Sequence, residues 1–220
     1  MRLALAFALL AVSPIQAFAQ APSTVQRVTP RAFAYVPTGV TAPAPLIVLL
    51  HGAGGNARSF LELFKRSADE RRIVLLSVQS NGRTWAIRKP NDREADVVNI
   101  KAAIRELTGK APLDASRTTV MGFSDGASYA LSVGMAYPSL FRTIVAFSPG
   151  YAFAPSRLDT GQRIFIAHSR RDPILPAENT RAMVKGLEAA GFDPDVRWFN
   201  GGHEIDPALK DAAFDFALRP

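Results

Sequence analysis

Gly122-Phe123-Ser124-Asp125-Gly126 follows the short apolar stretch at residues 118–121 and opens a helical pattern that begins near Ala127. A strand that turns abruptly into a helix leaves the serine between them at the helix N-terminus. Small residues on either side admit the tight, strained backbone that pushes its hydroxyl into a cleft. Ser124 is therefore the candidate nucleophile. A serine in such a turn can also be a plain helix cap, so its chemical reading depends on partners elsewhere in the chain.

The surrounding elements are legible from their periodicity. Residues 29–36 read as an opening strand, and residues 46–50 form a continuous apolar run of the kind a sheet covered on both faces requires. Between them, Pro37, Gly39, Pro43 and Pro45 mark a turn. A helix is predicted over 60–71, a strand over 73–78, a polar loop over 79–92 and a helix over 96–107. Beyond the nucleophile strand the alternation continues: helix 127–137, strand 142–147, strand 162–167, helix 177–189, strand 195–199 and helix 207–216. Such alternation favours parallel pairing through right-handed crossovers, with helices on both faces of one sheet. The expected architecture is an αβα sandwich.

In a parallel sheet the loops that follow successive strands emerge on one edge. That edge would collect Ser124, Asp172 and His203, in the chain order Ser, Asp, His. His203 can take the Ser124 proton as acyl transfer begins and return it to the leaving group, while Asp172 holds the imidazole tautomer. Asp172 before Pro173 also reads as a turn residue, and Asp159 and Asp195 are competing acids. Asp159 precedes the strand whose following loop should carry the acid, and Asp195 opens a strand at the opposite edge, so Asp172 is preferred.

His51-Gly52-Ala53-Gly54-Gly55 follows the strongest apolar strand. Its glycines permit a backbone path that exposes amide donors, and the developing oxyanion of a tetrahedral intermediate needs such donors. The expected pair is the amide of Ala53 with that of Asp125. Gly52, Gly54 and His51 would support the loop, with His51 bonded to nearby backbone, and His168 would buttress the acid loop. A phosphate-cradling loop lacks its Gly-Lys-Ser or Gly-Lys-Thr ending here. The three histidines of the chain form no paired metal-ligand motif, so neither a metal nor a cofactor is expected.

These motifs resemble the α/β-hydrolase superfamily, and within it the secreted esterase/polyhydroxybutyrate-depolymerase-like and phospholipase/carboxylesterase-like group. The resemblance covers residues 31–216 and rests on Leu49 to Gly55, Met121 to Ala127, His168 to Pro176 and Gly201 to Ile205. It implies a three-layer αβα sandwich with a mostly parallel central sheet and little or no cap domain. It also implies a serine esterase working through an acyl-enzyme. Many relatives have His-Gly where this chain has His168-Ser169, and the acidic Asp125 is an unusual occupant of the position after the nucleophile. A carboxylate pointing into the oxyanion site would oppose negative charge, so Asp125 is expected to point outward or to pair with a base. A serine peptidase acting on short peptides and a non-catalytic binding protein remain as alternatives.

Trp85 in the polar loop, Phe60 and Tyr151 are the candidate pocket walls, with Phe153 beside Tyr151. The lack of room for a large cap favours an open cleft and small-molecule or polymer-end esters.

The chain has 220 residues, enough for one domain with a substantial core. Arg2 precedes the apolar run at residues 3–12, and Ala17-Phe18-Ala19 supplies small residues at a signal-peptidase site. The expected organisation is a secretory signal over 1–19, a flexible arm over 20–30 and a single domain over 31–220, exported to the periplasm or medium. The absence of cysteine excludes disulfides and thiolate catalysis. No apolar run is long enough for a membrane span. A net charge of +7 favours anionic encounters, but the basic residues are spread along the chain and no nucleic-acid-binding signature accompanies them. Arg88-Lys89 and Arg170-Arg171 are short basic clusters that could attract an acidic substrate. Nothing in the sequence fixes an oligomeric state.

Overall fold

Strand β3 (Ala44–Leu50) is buried along its whole length and sits in the middle of the sheet. Its side chains divide by parity: Leu46, Val48 and Leu50 join one apolar cluster, Ile47 and Leu49 the other. This follows from the two-residue period of a strand when both faces are covered. The computed structural model describes residues 23–86 and 90–219, with the side chains of 90–93 left out of the description. The expected signal segment and the Arg88-Lys89 cluster lie outside the described residues.

Eight strands line up in the order β1-β2-β4-β3-β5-β6-β7-β8. They are β1 (Gln26–Thr29), β2 (Ala32–Tyr35), β3, β4 (Val74–Val78), β5 (Leu113–Phe123), β6 (Thr143–Phe147), β7 (Arg163–Ser169) and β8 (Asp195–Phe199). From β4 to β8 neighbouring strands are parallel; β1 and β2 are antiparallel additions at one edge. Helices α1 (Ala57–Glu62), α2 (Lys65–Arg71), α3 (Pro90–Thr108), α4 (Asp125–Ala136), α5 (Ala177–Ala189) and α6 (Pro207–Leu218) complete the order. Ile100 and Leu107 of α3, Tyr129 and Val133 of α4 and Leu187 of α5 pack on one face of the sheet. Phe60 of α1, Ala68 of α2 and Phe214 of α6 pack on the other. The result is a three-layer αβα sandwich, with no large inserted cap among the described residues. No helix among them is long and apolar enough to cross a membrane.

Four elements differ from the sequence reading. The single strand expected over 29–36 is divided by a turn at Pro30 and Arg31, where proline offers no amide hydrogen to a ladder. Only Ala32–Tyr35 of it continues as β2, while β1 starts upstream at Gln26 and pairs with β2, so the sheet claims residues assigned to a flexible arm. The helix expected over 60–71 breaks at Leu63 and Phe64, whose amides bond back three residues to Phe60 and Leu61. That tightening seats the fully buried Phe64 between the rings of Phe60 and Phe214. Finally, the loop expected over 79–92 ends early, because Pro90 begins α3, a position where its missing amide hydrogen is no loss.

Gly186 lies inside α5, and a Cβ built there meets nothing within 4 Å. Gly186→Ala is expected to stabilise the fold by about 0.5–1 kcal/mol, read as a higher denaturation midpoint with unchanged slope.

Candidate active site

The carboxyl ends of β3, β5, β7 and β8 carry the site. Ser124 stands between β5 and α4 with φ 57° and ψ −121°, a backbone conformation that residues other than glycine rarely occupy. The turn is held by the Ser124 amide on the Phe147 carbonyl, 2.9 Å, and by the Ser124 carbonyl, which accepts from Ala127 and Ser128. Gly122 and Gly126 make the turn possible. A Cβ at Gly122 would lie 2.1 Å from the Gly126 carbonyl oxygen, and one at Gly126 would lie 2.1 Å from that of Leu50.

His203, in the loop after β8, places Nε2 2.8 Å from Ser124 Oγ and Nδ1 2.6 Å from Asp172 Oδ2. The Nδ1–H donates to the carboxylate, which leaves Nε2 to accept from the serine. Asp172 accepts at its other oxygen from the amides of Ile174 and Leu175, at 2.8 and 2.9 Å. Burial acts to raise the Asp172 carboxyl, but the bonds from His203, Leu175 and Ile174 outweigh it and hold the group below the ordinary carboxylate value. Asp159 forms an ion pair with Arg142, and Asp195 pairs with Arg197.

Two further histidines sit behind these groups, both buried. His51 Nδ1 faces the Gly52 carbonyl at 2.7 Å, so it carries the proton, while Nε2 accepts from the Gln79 side-chain amide and the Ser80 amide. Gln79 also accepts from the Ala57 amide, so one side chain joins the start of α1 to the His51 loop. His168 Nε2 faces the Leu175 carbonyl at 2.9 Å and lies 3.4 Å from Asp172 Oδ2; its Nδ1 meets the Thr180 hydroxyl at 2.7 Å. His51 is thus bonded as a neutral group, while the Thr180 hydroxyl beside His168 Nδ1 also donates to the Pro149 carbonyl at 3.0 Å; burial, the largest influence on each imidazole, keeps both pKa values below the ordinary 6.5.

A pH dependence of stability follows. As pH falls through about 6.5, these two imidazoles take up protons in the unfolded chain before they do in the folded one. Stability is therefore complete above that value and declines below it. Asp172 acts in the same direction at lower pH, with its contribution present above the ordinary 3.8 and lost as pH falls through its lowered value. The melting temperature is expected to drop between about pH 7.5 and 5.5, and His168→Gln should drop less steeply over that interval. An equal slope in the variant would remove His168 from the explanation.

An open cavity of about 550 Å³ adjoins His203, with Phe60, Leu63, Phe123 and Ile205 in its lining. Gly52 and Ala53 border it as well. Gly54 takes a positive φ of 69° and donates its amide to the Arg83 carbonyl at 2.7 Å. Among the described residues, no hydrogen bond engages the amide of Ala53 or of Asp125. The Asp125 carboxylate accepts from the Thr84 hydroxyl at 2.7 Å, so its partner is a neutral hydroxyl and not a base.

Residues 32–216 match the family model described as Phospholipase/Carboxylesterase. The chain belongs to that family. Esterase YpfH of Escherichia coli (strain K12) is similar to it, 28% identical over 187 residues that cover 77% of this chain and 80% of the relative. Solved structures of carboxylesterases from Bacillus cereus and Mesorhizobium loti superpose with TM-scores of 0.68 and 0.70 at 23% and 20% identity. The first comparison covers 84% of this chain and 92% of that one, the second 89% and 99%. At these identities the two structures speak for the fold.

Within this phospholipase/carboxylesterase frame, the three aromatic residues expected to wall one pocket part company. Phe60 lines the cavity beside His203. Trp85 does not: it is 3% exposed, stacks on Tyr129 and donates its indole N–H to the His51 carbonyl at 2.7 Å. Its polar sequence neighbours concealed this. The buried Asp96 accepts from the amides of Asn81 and Ala86 and folds that loop so that the indole turns into the core. Tyr151 borders a separate cavity of about 450 Å³ against α5. Arg170 and Arg171 are exposed, with Arg170 over the Trp198 ring. Gln79, Thr84 and Asp96 were missed by sequence reasoning, and Ser169 was noted only as a departure from the His-Gly of many relatives, since polar residues of this kind give no local signal of the distant groups they will bond.

Proposed function

We propose that the protein is an exported serine carboxylic-ester hydrolase that works through an acyl-enzyme. The observation that carries this reading is the unbroken hydrogen-bond chain Ser124–His203–Asp172 beside an open, largely apolar cavity. Ser124 Oγ attacks the ester carbonyl as His203 Nε2 removes its proton. The imidazolium then protonates the departing alkoxide, and a water activated by the same nitrogen releases the acid. Asp172 keeps Nδ1–H directed at itself and stabilises the imidazolium without taking its proton.

The oxyanion site in this reading is the pair of amides of Ala53 and Asp125. Their freedom from other acceptors among the described residues supports it, as does the Thr84 bond that engages the Asp125 carboxylate. The His51 loop with Gly52 and Gly54 serves as its scaffold. Export rests on the leader-like segment at residues 1–19, and with β1 starting at Gln26 any arm between leader and sheet would be short.

The cavity favours a small or polymer-end ester that leaves part of the substrate in solvent. Hydrolysis of p-nitrophenyl esters from acetate to octanoate by the chain from Gln20 onward tests this. Turnover with an optimum at a short or medium acyl chain is expected. No turnover across the series by folded protein, together with cleavage of short peptide amides, would favour the peptidase reading.

A further inference from the structure

We propose that Ser169 is a positioning residue whose one hydroxyl ties the loop carrying Asp172 to the loop carrying His203. The proposal rests on the serine-hydrolase reading above and adds a component that reading does not contain.

Ser169 is the last residue of β7 and is fully buried. Its Oγ accepts from the Arg171 amide at 3.1 Å and the Gly201 amide at 3.0 Å, and donates to the Gly201 carbonyl at 2.5 Å. Two lone pairs and one proton are the full capacity of a hydroxyl, and all three are used. Arg171 directly precedes the catalytic acid, and Gly201 lies two residues before the base. A single oxygen therefore holds the backbone on both sides of the 2.6 Å His203–Asp172 bond.

The topology explains what such a tie adds in this chain. β8 is an edge strand, so the loop leaving it has a strand neighbour on the β7 side only. Register pairing runs to Ser169 opposite Phe199, and the ladder gives one more bond, from the Arg170 amide to the Phe199 carbonyl at 2.8 Å. Past that point both polar groups of the Gly201 backbone are taken by the Ser169 side chain. Among the described residues, Gly202 is held within its own loop, by Glu204. Without the hydroxyl, the base would still be attached to the sheet but free to swing relative to the acid. Catalysis is sensitive to such displacement: misplacement on the order of 1 Å can lower the rate about a hundredfold.

The test compares Ser169→Ala, Ser169→Gly and Ser169→Thr with the parent chain on a p-nitrophenyl ester, well below every melting temperature. The expected result for Ala is a fall in kcat of about tenfold with KM within about twofold, since the lost alignment acts in the transition state and not in binding. The downfield proton resonance of the His203–Asp172 bond should broaden in the same variant. Thr, which keeps the hydroxyl, should restore most of the rate. A kcat within about twofold of the parent, or a change confined to KM, overturns the proposal. So does a loss of rate fully explained by a smaller folded fraction. If Ala does not fold, Gly is read in its place; if neither folds, the hydroxyl is a stability element and the proposal fails. Failure of the underlying reading has its own signature, turnover by the parent chain that survives Ser124→Ala.

Discussion

Ser124→Ala is expected to lower kcat for ester hydrolysis by about 10⁴-fold or more while leaving the fold intact. Among the described residues the hydroxyl's one side-chain partner is His203, which is partly exposed, so its removal strands no donor or acceptor in the core. His203→Ala should bring a loss of the same order, and the double variant should be no slower than the worse single one. The two groups serve one step, and removing either ends it. The measurement is a set of kcat values for the four proteins, paired with labelling by a fluorophosphonate, which reports an activated serine independently of substrate. Labelling of similar extent in the parent chain and Ser124→Ala would move the nucleophile elsewhere.

Gly126→Ala is expected to destabilise the protein by more than about 3 kcal/mol, enough to deplete folded material in a domain of ordinary stability. The added Cβ would fall 2.1 Å from the Leu50 carbonyl oxygen and 2.5 Å from that of His51. Both are backbone atoms at the end of a central strand, so no side-chain rotation relieves the clash. Relief would require α4 to withdraw from β3, and that motion separates the Asp125 amide from the Ala53 loop. Activity should therefore fall further than stability alone explains. Gly202→Ala is the comparison, because its Cβ meets nothing within 4 Å; its denaturation midpoint should stay close to the parent. Equal midpoints for the two alanine variants would mean that the helix and strand do not approach as closely as described.

The parts of this molecule that were legible in its sequence depend on local pattern. The turn around Ser124 is written by small residues at every second position, Gly122, Ser124 and Gly126, and the alternation of apolar periods carries most of the sandwich. The chain order of Ser124, Asp172 and His203 then needs only a parallel sheet to bring the three together. What escaped depends on contacts across the fold. Trp85 looked like a pocket wall because its neighbours are polar, whereas its burial is decided by Asp96 binding two distant amides. The break at Leu63 and Phe64 serves a ring contact with Phe214, a residue 150 positions later. Ser169 differs from a solvent-facing strand end only through what Gly201 does, and no local period records that.

The backbone of Ser124 has one more consequence. Held at a positive φ by a tight turn, an L-residue there carries strain on the order of 1–3 kcal/mol that glycine would not. A variant library enriched solely for survival of heat or protease should therefore drift toward glycine at 124 and lose turnover as it hardens. A serine kept in that conformation is a record of pressure for its hydroxyl, since endurance by itself would have discarded it.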